Sequence, residues 1–285
     1  MTPRPDPPPG ARNYVLLILD SCRFDSLAAA KPKNLLHLGP LQRRYSYATW
    51  TAPAHFNLLM GLLPHSDPKN IFASAYYQQS LLRWKDRLGF GGVNFTGMLP
   101  RLWLPDYLQR HGYRTQAFVS LPVLNPATPL AVGFDHYQKM DRHNDLRAII
   151  DELAFDLDRP TFTLINTGET HYPYAPAHEP PDQWPRIHGV HGVFKQLASG
   201  SPLHQRDAPR LFDQDRLDTL RRRQIDVIAD IDESIAMLFD ALPPDTFVTV
   251  TADHGELFGE DGYFGHGPVR HDKVLEVPFI EGLLR

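Results

Sequence analysis

Asp20, Asp253 and His254 are residue types that bind divalent cations, and each closely follows an apolar run of the chain. Two carboxylates and an imidazole form a mixed oxygen–nitrogen donor set, which suits zinc, manganese or iron better than calcium or magnesium. Taken singly, Asp20 would cap a helix and Asp253-His254 would form a polar turn. Thr51 is the candidate nucleophile. It stands in Trp50-Thr51-Ala52-Pro53, where the proline marks a helix start. Free backbone N–H groups and the positive end of the helix dipole favour an anion such as a phosphoryl group there. A threonine hydroxyl attacks poorly at neutral pH, and metal coordination would lower its pKa. Without that setting Thr51 would be an ordinary cap.

Two further imidazoles have suggestive neighbours. His266 sits between glycines in Phe264-Gly265-His266-Gly267, and His171 lies in Thr170-His171-Tyr172-Pro173. Either could bind a second metal, hold a phosphoryl oxygen or protonate a leaving group. A lone loop histidine is more often simply solvated. Arg23 could clamp an anion or pair with Asp25. His55 and Asn94 complete the substrate-binding candidates. His178, His188, His191 and His204 show no spacing that suggests a site.

These residues meet only if the fold gathers them. Residues 14–19 are an unbroken apolar run, which predicts a strand buried on both faces. Strands are also expected over 43–48, 114–120, 161–166, 246–251 and 277–280. Helices are expected over 24–30, 53–60, 102–110, 144–155 and 214–242. The last carries an apolar stripe of Leu217, Leu220, Ile225, Ile228, Ile231, Ile235 and Leu238. Alternating strands and helices imply an α/β fold with a mostly parallel central sheet and helices on both faces. In such sheets ligands bind beyond the carboxyl ends of the strands. Those ends would bring Asp20, the Glu169-Thr170-His171 segment and Asp253-His254 together. One domain is expected over 13–285, after a disordered Pro-rich tail at 1–12. The stretches 62–100 and 172–213 are expected as insertions over the site, and Trp50, Trp84 and Trp103 as core.

Composition narrows the function. Lys plus Arg is 29 against 33 Asp plus Glu, a net charge of −4 over 285 residues. That balance argues against a nucleic-acid coat, which needs a phosphate-neutralising basic surface. The single cysteine, Cys22, excludes an intramolecular disulfide and a Cys-rich zinc module. No basic segment followed by an apolar one opens the sequence, and the run 14–19 is far shorter than the roughly 20 residues of a membrane span. The expectation is a cytoplasmic protein with no membrane partner. The oligomeric state is left open.

The segment from Leu17-Ile18-Leu19-Asp20 through Arg23-Phe24-Asp25 resembles the first motif of sulfatase-like members of the alkaline phosphatase superfamily. Trp50-Thr51-Ala52-Pro53 through Gly61-Leu62-Leu63-Pro64 resembles the nucleophile segment, and Asp253-His254-Gly255 the metal motif. Thr170-His171-Tyr172-Pro173 is similar to the active-site histidine loop. Gly265-His266-Gly267 through Val277-Pro278-Phe279-Ile280 resembles the segment C-terminal to the metal motif. The resemblance implies a metal, zinc or manganese, held by Asp20, Thr51, Asp253 and His254. His171 and His266 would then face substrate or, with Glu169, a second metal. Sulfatases proper carry Cys or Ser at the nucleophile position, with Arg four residues on. Thr51 and His55 stand there instead, and threonine cannot form formylglycine. The implied chemistry therefore moves from sulfate esters to a small anionic or carrier-bound phosphoryl substrate. Sulfate-ester or C–P bond hydrolysis, and a catalytically silent anion- or partner-binding module, are the alternatives.

Overall fold

The computed structural model describes residues 5–67, 73–93, 103–185 and 212–285. Its centre is a seven-stranded sheet in the order β2-β9-β6-β1-β5-β3-β4. The strands are β1 Tyr14–Leu19, β2 Gln42–Tyr45, β3 Arg114–Val119, β4 His136–Lys139, β5 Thr161–Thr167, β6 Phe247–Thr251 and β9 Glu276–Leu283; β7 Leu257–Phe258 and β8 Phe264–Gly265 form a separate small hairpin. Pairings from β6 through β1, β5 and β3 to β4 are parallel, and β9 runs antiparallel to both β6 and β2.

β1 is the middle strand, in register with β5 from Tyr14–Phe162 to Leu19–Thr167 and with β6 from Tyr14–Phe247 to Ile18–Thr251. Its apolar run is continuous because both faces are covered. Tyr14, Leu16 and Ile18 pack with Trp84, Leu88, Tyr107 and Leu108. Val15, Leu17 and Leu19 pack on the opposite face with Ile149, Ile228, Ile231 and Ile235. Each fully buried aliphatic side chain stabilises the fold by about 1.5–3 kcal/mol.

Among the described residues the α-helices are α1 Phe24–Ala30, α2 Lys33–Leu38, α3 Thr51–Leu59, α4 Ala73–Leu88, α5 Leu104–Arg110, α6 Leu146–Glu152, α7 Gln214–Ala241 and α8 Asp272–Leu275. The α/β architecture agrees with the sequence expectation. β4, α2 and α8 had no expectation. β4 is a four-residue polar strand at the sheet edge, and the two helices are too short to show a period. The last strand is longer than expected and antiparallel.

Several local expectations are corrected. Residues 5–12 of the supposed disordered tail lie against the body: Ala11 packs on the core and Arg12 N–H donates to Leu88 O at 3.1 Å. The described part of 62–100 contributes core, with Trp84 fully buried and its Nε1 donating to Gly61 O. Trp103 packs against the same core, but Trp50, the residue before α3, is 46% exposed. In the α7 stripe Ile225 is only half-buried, and the neighbouring Gln224 is fully buried. Gln224 Nε2 donates to Ser21 O (3.0 Å) and Thr170 O (2.9 Å), tying two site loops to the helix.

Candidate metal centre and nucleophile

Parallel pairing of β1 with β5 and β6 puts the residues that follow these strands at one edge of the sheet. Asp20, Asp253 and His254 meet there, with one donor atom from each within 4.8 Å of the others, and all three are buried. Ser21 stands at φ 58°, turning the chain sharply after Asp20. Its N–H donates to Asp253 Oδ1 (3.1 Å), joining the two loops. Asn166, near the end of β5, donates Nδ2–H to Asp20 Oδ2 (2.9 Å), and Thr170 Oγ1 donates to the Asp20 carbonyl (2.7 Å).

His254 accepts its orientation from the backbone. Its Nδ1 lies 2.8 Å from Gly255 O, so Nδ1 carries the proton and Nε2 presents a lone pair. That Nε2 is 3.3 Å from Asp253 Oδ2 and 3.3 Å from Thr51 Oγ1. Burial, with the charge of His266, pushes the His254 imidazole down to about 3, so it is neutral. Asp20 is displaced upward, by burial first and then by the Asp253 carboxylate. Asp253 Oδ2 is buried with no hydrogen-bond donor among the described residues. Two buried carboxylates, an unpartnered oxygen and a neutral imidazole lone pair facing one point fit a divalent cation such as zinc.

Thr51 is the first residue of α3 and only 6% exposed. His55, one turn on, has its Nδ1 at 2.8 Å from Thr51 O and 3.7 Å from Asp253 Oδ2. His55 Nε2 is buried without a partner among the described residues.

His266 and His171 stand beside this cluster. The His266 ring is 4.2 Å from that of His254 and 5.4 Å from that of His171, centroid to centroid. His266 Nδ1 pairs with Glu256 Oε1 at 2.8 Å, and Tyr174 OH donates to Glu256 Oε2 at 3.0 Å. Burial would lower the His266 pKa, but the charge and hydrogen bond of Glu256 outweigh it and raise it to about 9. His171 Nδ1 lies 2.8 Å from Tyr172 O.

The other candidates are placed differently. Glu169 accepts the Leu146 N–H at the start of α6 (2.7 Å) and a hydrogen bond from Thr167 Oγ1. Among the described residues it belongs to no metal-ligating cluster. Arg23 is buried, with Nε and Nη2 on the two oxygens of Asp25 (2.8 and 2.6 Å) and Nη1 on Glu260 (2.6 Å), so this chain's own carboxylates compensate its charge. Asn94 lies outside the described residues.

Sequence reasoning gave no role to Glu256, Asn166 or Gln224, the groups that orient the site. Glu256 follows the Asp253-His254-Gly255 motif, which was a usable signal; Asn166 and Gln224 offered none. His143 was also missed. Its ring packs edge-on to Trp184 at 5.2 Å, and burial and the charges of His171 and Arg142 lower it to about 4, against the pull of Asp20.

Residues 12–280 match the Sulfatase family. No curated protein matches the chain in sequence. Among solved structures, the chain is similar to the C-terminal periplasmic domain of EptC from Escherichia coli in complex with Zn, at 14% identity, 99% of this chain and 78% of that one, TM-score 0.58. It is also similar to the integral membrane protein lipooligosaccharide phosphoethanolamine transferase A (EptA) of Neisseria meningitidis, at 15% identity, 99% and 49% coverage, TM-score 0.55. A third is BT1596, a 2-O GAG sulfatase, at 13% identity, 95% and 64% coverage, TM-score 0.55. These likenesses confirm the mostly parallel α/β fold. They overturn the expected cytoplasmic location, since the EptC structure with this fold is a periplasmic domain. The reasoning from the first residues fails because a leader or anchor need not lie in the stretch being read; among the described residues no helix is long and apolar enough to cross a membrane. The match over 12–280 covers nearly the whole sequence, and the chain belongs to the sulfatase family, within the alkaline phosphatase superfamily.

Proposed function

We propose that the chain is a metal-dependent phosphoryl-transfer enzyme that acts on a phosphate ester or phosphonate through a covalent phosphothreonine at Thr51. The observation that carries this reading is the Thr51 hydroxyl at the start of α3, 3.3 Å from His254 Nε2 and beside the Asp20–Asp253 carboxylates. A zinc or manganese ion held by Asp20, Asp253, His254 and Thr51 would supply Lewis acidity, acidifying the Thr51 hydroxyl and neutralising phosphoryl charge. Thr51 Oγ1 forms the new bond to phosphorus as the bond to the leaving oxygen breaks. The free N–H groups at the start of α3 face the developing negative charge. His266 Nδ1 is committed to Glu256, whose charge favours the imidazolium, so its Nε2–H is the donor for a phosphoryl or leaving oxygen. His171 takes a supporting role on the same side. Water or an acceptor hydroxyl then resolves the phosphothreonine.

Threonine at the nucleophile position favours phosphoryl over sulfuryl chemistry, because it cannot be converted to formylglycine. The likeness to EptC and EptA, the latter a phosphoethanolamine transferase by description, supports the same choice and an extracytoplasmic location. The test compares wild type, Thr51→Ser and Thr51→Ala on matched phosphate and sulfate esters, with intact-mass detection of phosphorylated Thr51. Turnover of the phosphate esters, retained in part by Thr51→Ser and lost in Thr51→Ala, is expected. Full turnover by Thr51→Ala at saturating metal would refute the nucleophile assignment. Faster sulfate-ester turnover would favour the sulfatase alternative, and no turnover with bound metal would favour a silent binding module.

A further inference from the structure

A second charged site lies where α4 meets the β2 edge of the sheet. Arg44, Arg83 and Arg87 line one small cavity of about 30 Å³ together with Pro64 and Ser80. That exceeds the roughly 10–15 Å³ that one water needs. Arg44 and Arg87 are 6% and 4% exposed. The Arg44 guanidinium lies on the Phe279 ring, 3.3 Å from its centroid. Its Nε and Nη2 donate to Gln42 Oε1 (3.1 and 2.8 Å) and its Nη1 to Pro64 O (3.4 Å), all neutral acceptors. Arg87 Nε donates to Glu281 Oε2 at 3.2 Å. Among the described residues Arg83 has no hydrogen-bond or ion-pair partner, so three cations share one carboxylate. In the sequence, positions 68–102 hold one acidic residue, Asp86, and Asp67 adjoins the lining residue Ser66. Burial, with the charges of Arg87 and Arg83, lowers Arg44 to about 10 against the pull of Glu281.

Buried like charges of this kind cost free energy unless a counter-charge joins them. Arginine does not shed its proton at working pH, so the remedy is an anion. Guanidinium forks match the edges of a tetrahedral oxyanion. We propose that this cavity binds a small oxyanion of the phosphate or sulfate type, at a site separate from the metal centre. None of its lining residues takes part in the Asp20–Asp253–His254 cluster.

Calorimetric titration of the full chain with inorganic phosphate tests this. Asp253→Asn, which disables the metal centre where a phosphoryl group would also bind, is expected to keep this second phosphate site, and Arg83→Gln in that background to bind at least about tenfold more weakly, the loss of one charge-assisted contact. Arg83 is exposed, so adding Arg83→Gln should not change melting without phosphate. Absent binding by wild type, equal binding by Asp253→Asn with and without Arg83→Gln, or loss of binding in Asp253→Asn alone would each overturn the proposal. So would binding to phosphatidic-acid vesicles without binding of free phosphate. The outcome is independent of whether Thr51 is the nucleophile.

Discussion

Replacing Asp25 with Asn removes the charge that the buried Arg23 depends on. Both Asp25 oxygens receive Arg23 N–H groups, and Lys273 Nζ is 2.9 Å from Oδ2. Arg23 also donates to Glu260 and, at 3.3 Å, to the carbonyl of Glu256, so it ties the segment after β1 to the loop that carries His254 and Glu256. Breaking a buried ion pair costs about 3–5 kcal/mol. Asp25 keeps 26% of its side chain exposed and Glu260 remains, so about 2–3 kcal/mol is expected for Asp25→Asn. With an unfolding entropy of about 2.1 cal/mol/K per residue, that is a fall in Tm of roughly 3–5 °C for a chain of this length. The pH dependence has a definite sign. Burial would raise the Asp25 pKa, but Arg23 and Lys273 hold it well below the usual carboxylate range. Its contribution is therefore complete above about pH 4 and lost as pH falls below that value. Thermal melts by circular dichroism of both proteins should show the gap at neutral pH and its narrowing in acid. A variant melting within about 1 °C of wild type at neutral pH, or an equal gap in acid, would refute the argument.

Two further outcomes concern the site itself. Glu256→Gln should move the alkaline limb of kcat/KM to lower pH, because the carboxylate that keeps His266 protonated up to about 9 is gone; an unmoved limb would separate His266 from the chemistry. After chelator treatment, zinc at about a hundred times its Kd should stabilise the chain by about 2.7 kcal/mol, roughly 4–5 °C in Tm, and Asp253→Asn should abolish most of that gain. Equal zinc shifts in the two proteins would place the ion elsewhere.

Much of the fold was legible in local signals. The 14–19 run and the period of α7 reported burial that a one-dimensional pattern records. Polar edge strand β4 and the four-residue α8 left no such record. Trp50 shows the opposite error, since residue type alone does not report whether an aromatic side chain is covered. In the site, Asp20, Thr51, Asp253 and His254 were legible because each follows a strand or opens a helix. Their supports were not. Gln224 reads as a polar helix residue until α7 packs beneath the loops of Ser21 and Thr170; for Arg23 the pairing with Asp25 was legible as one of two readings, while its burial and its bond to Glu260 were not. The amino-acid sequence thus determined which residue types stand at the strand ends and that the strands are buried. Tertiary structure alone decided which buried donors face one another, because hydrogen bonds and ion pairs between residues some two hundred positions apart are set by strand order and helix packing, and no local pattern encodes either.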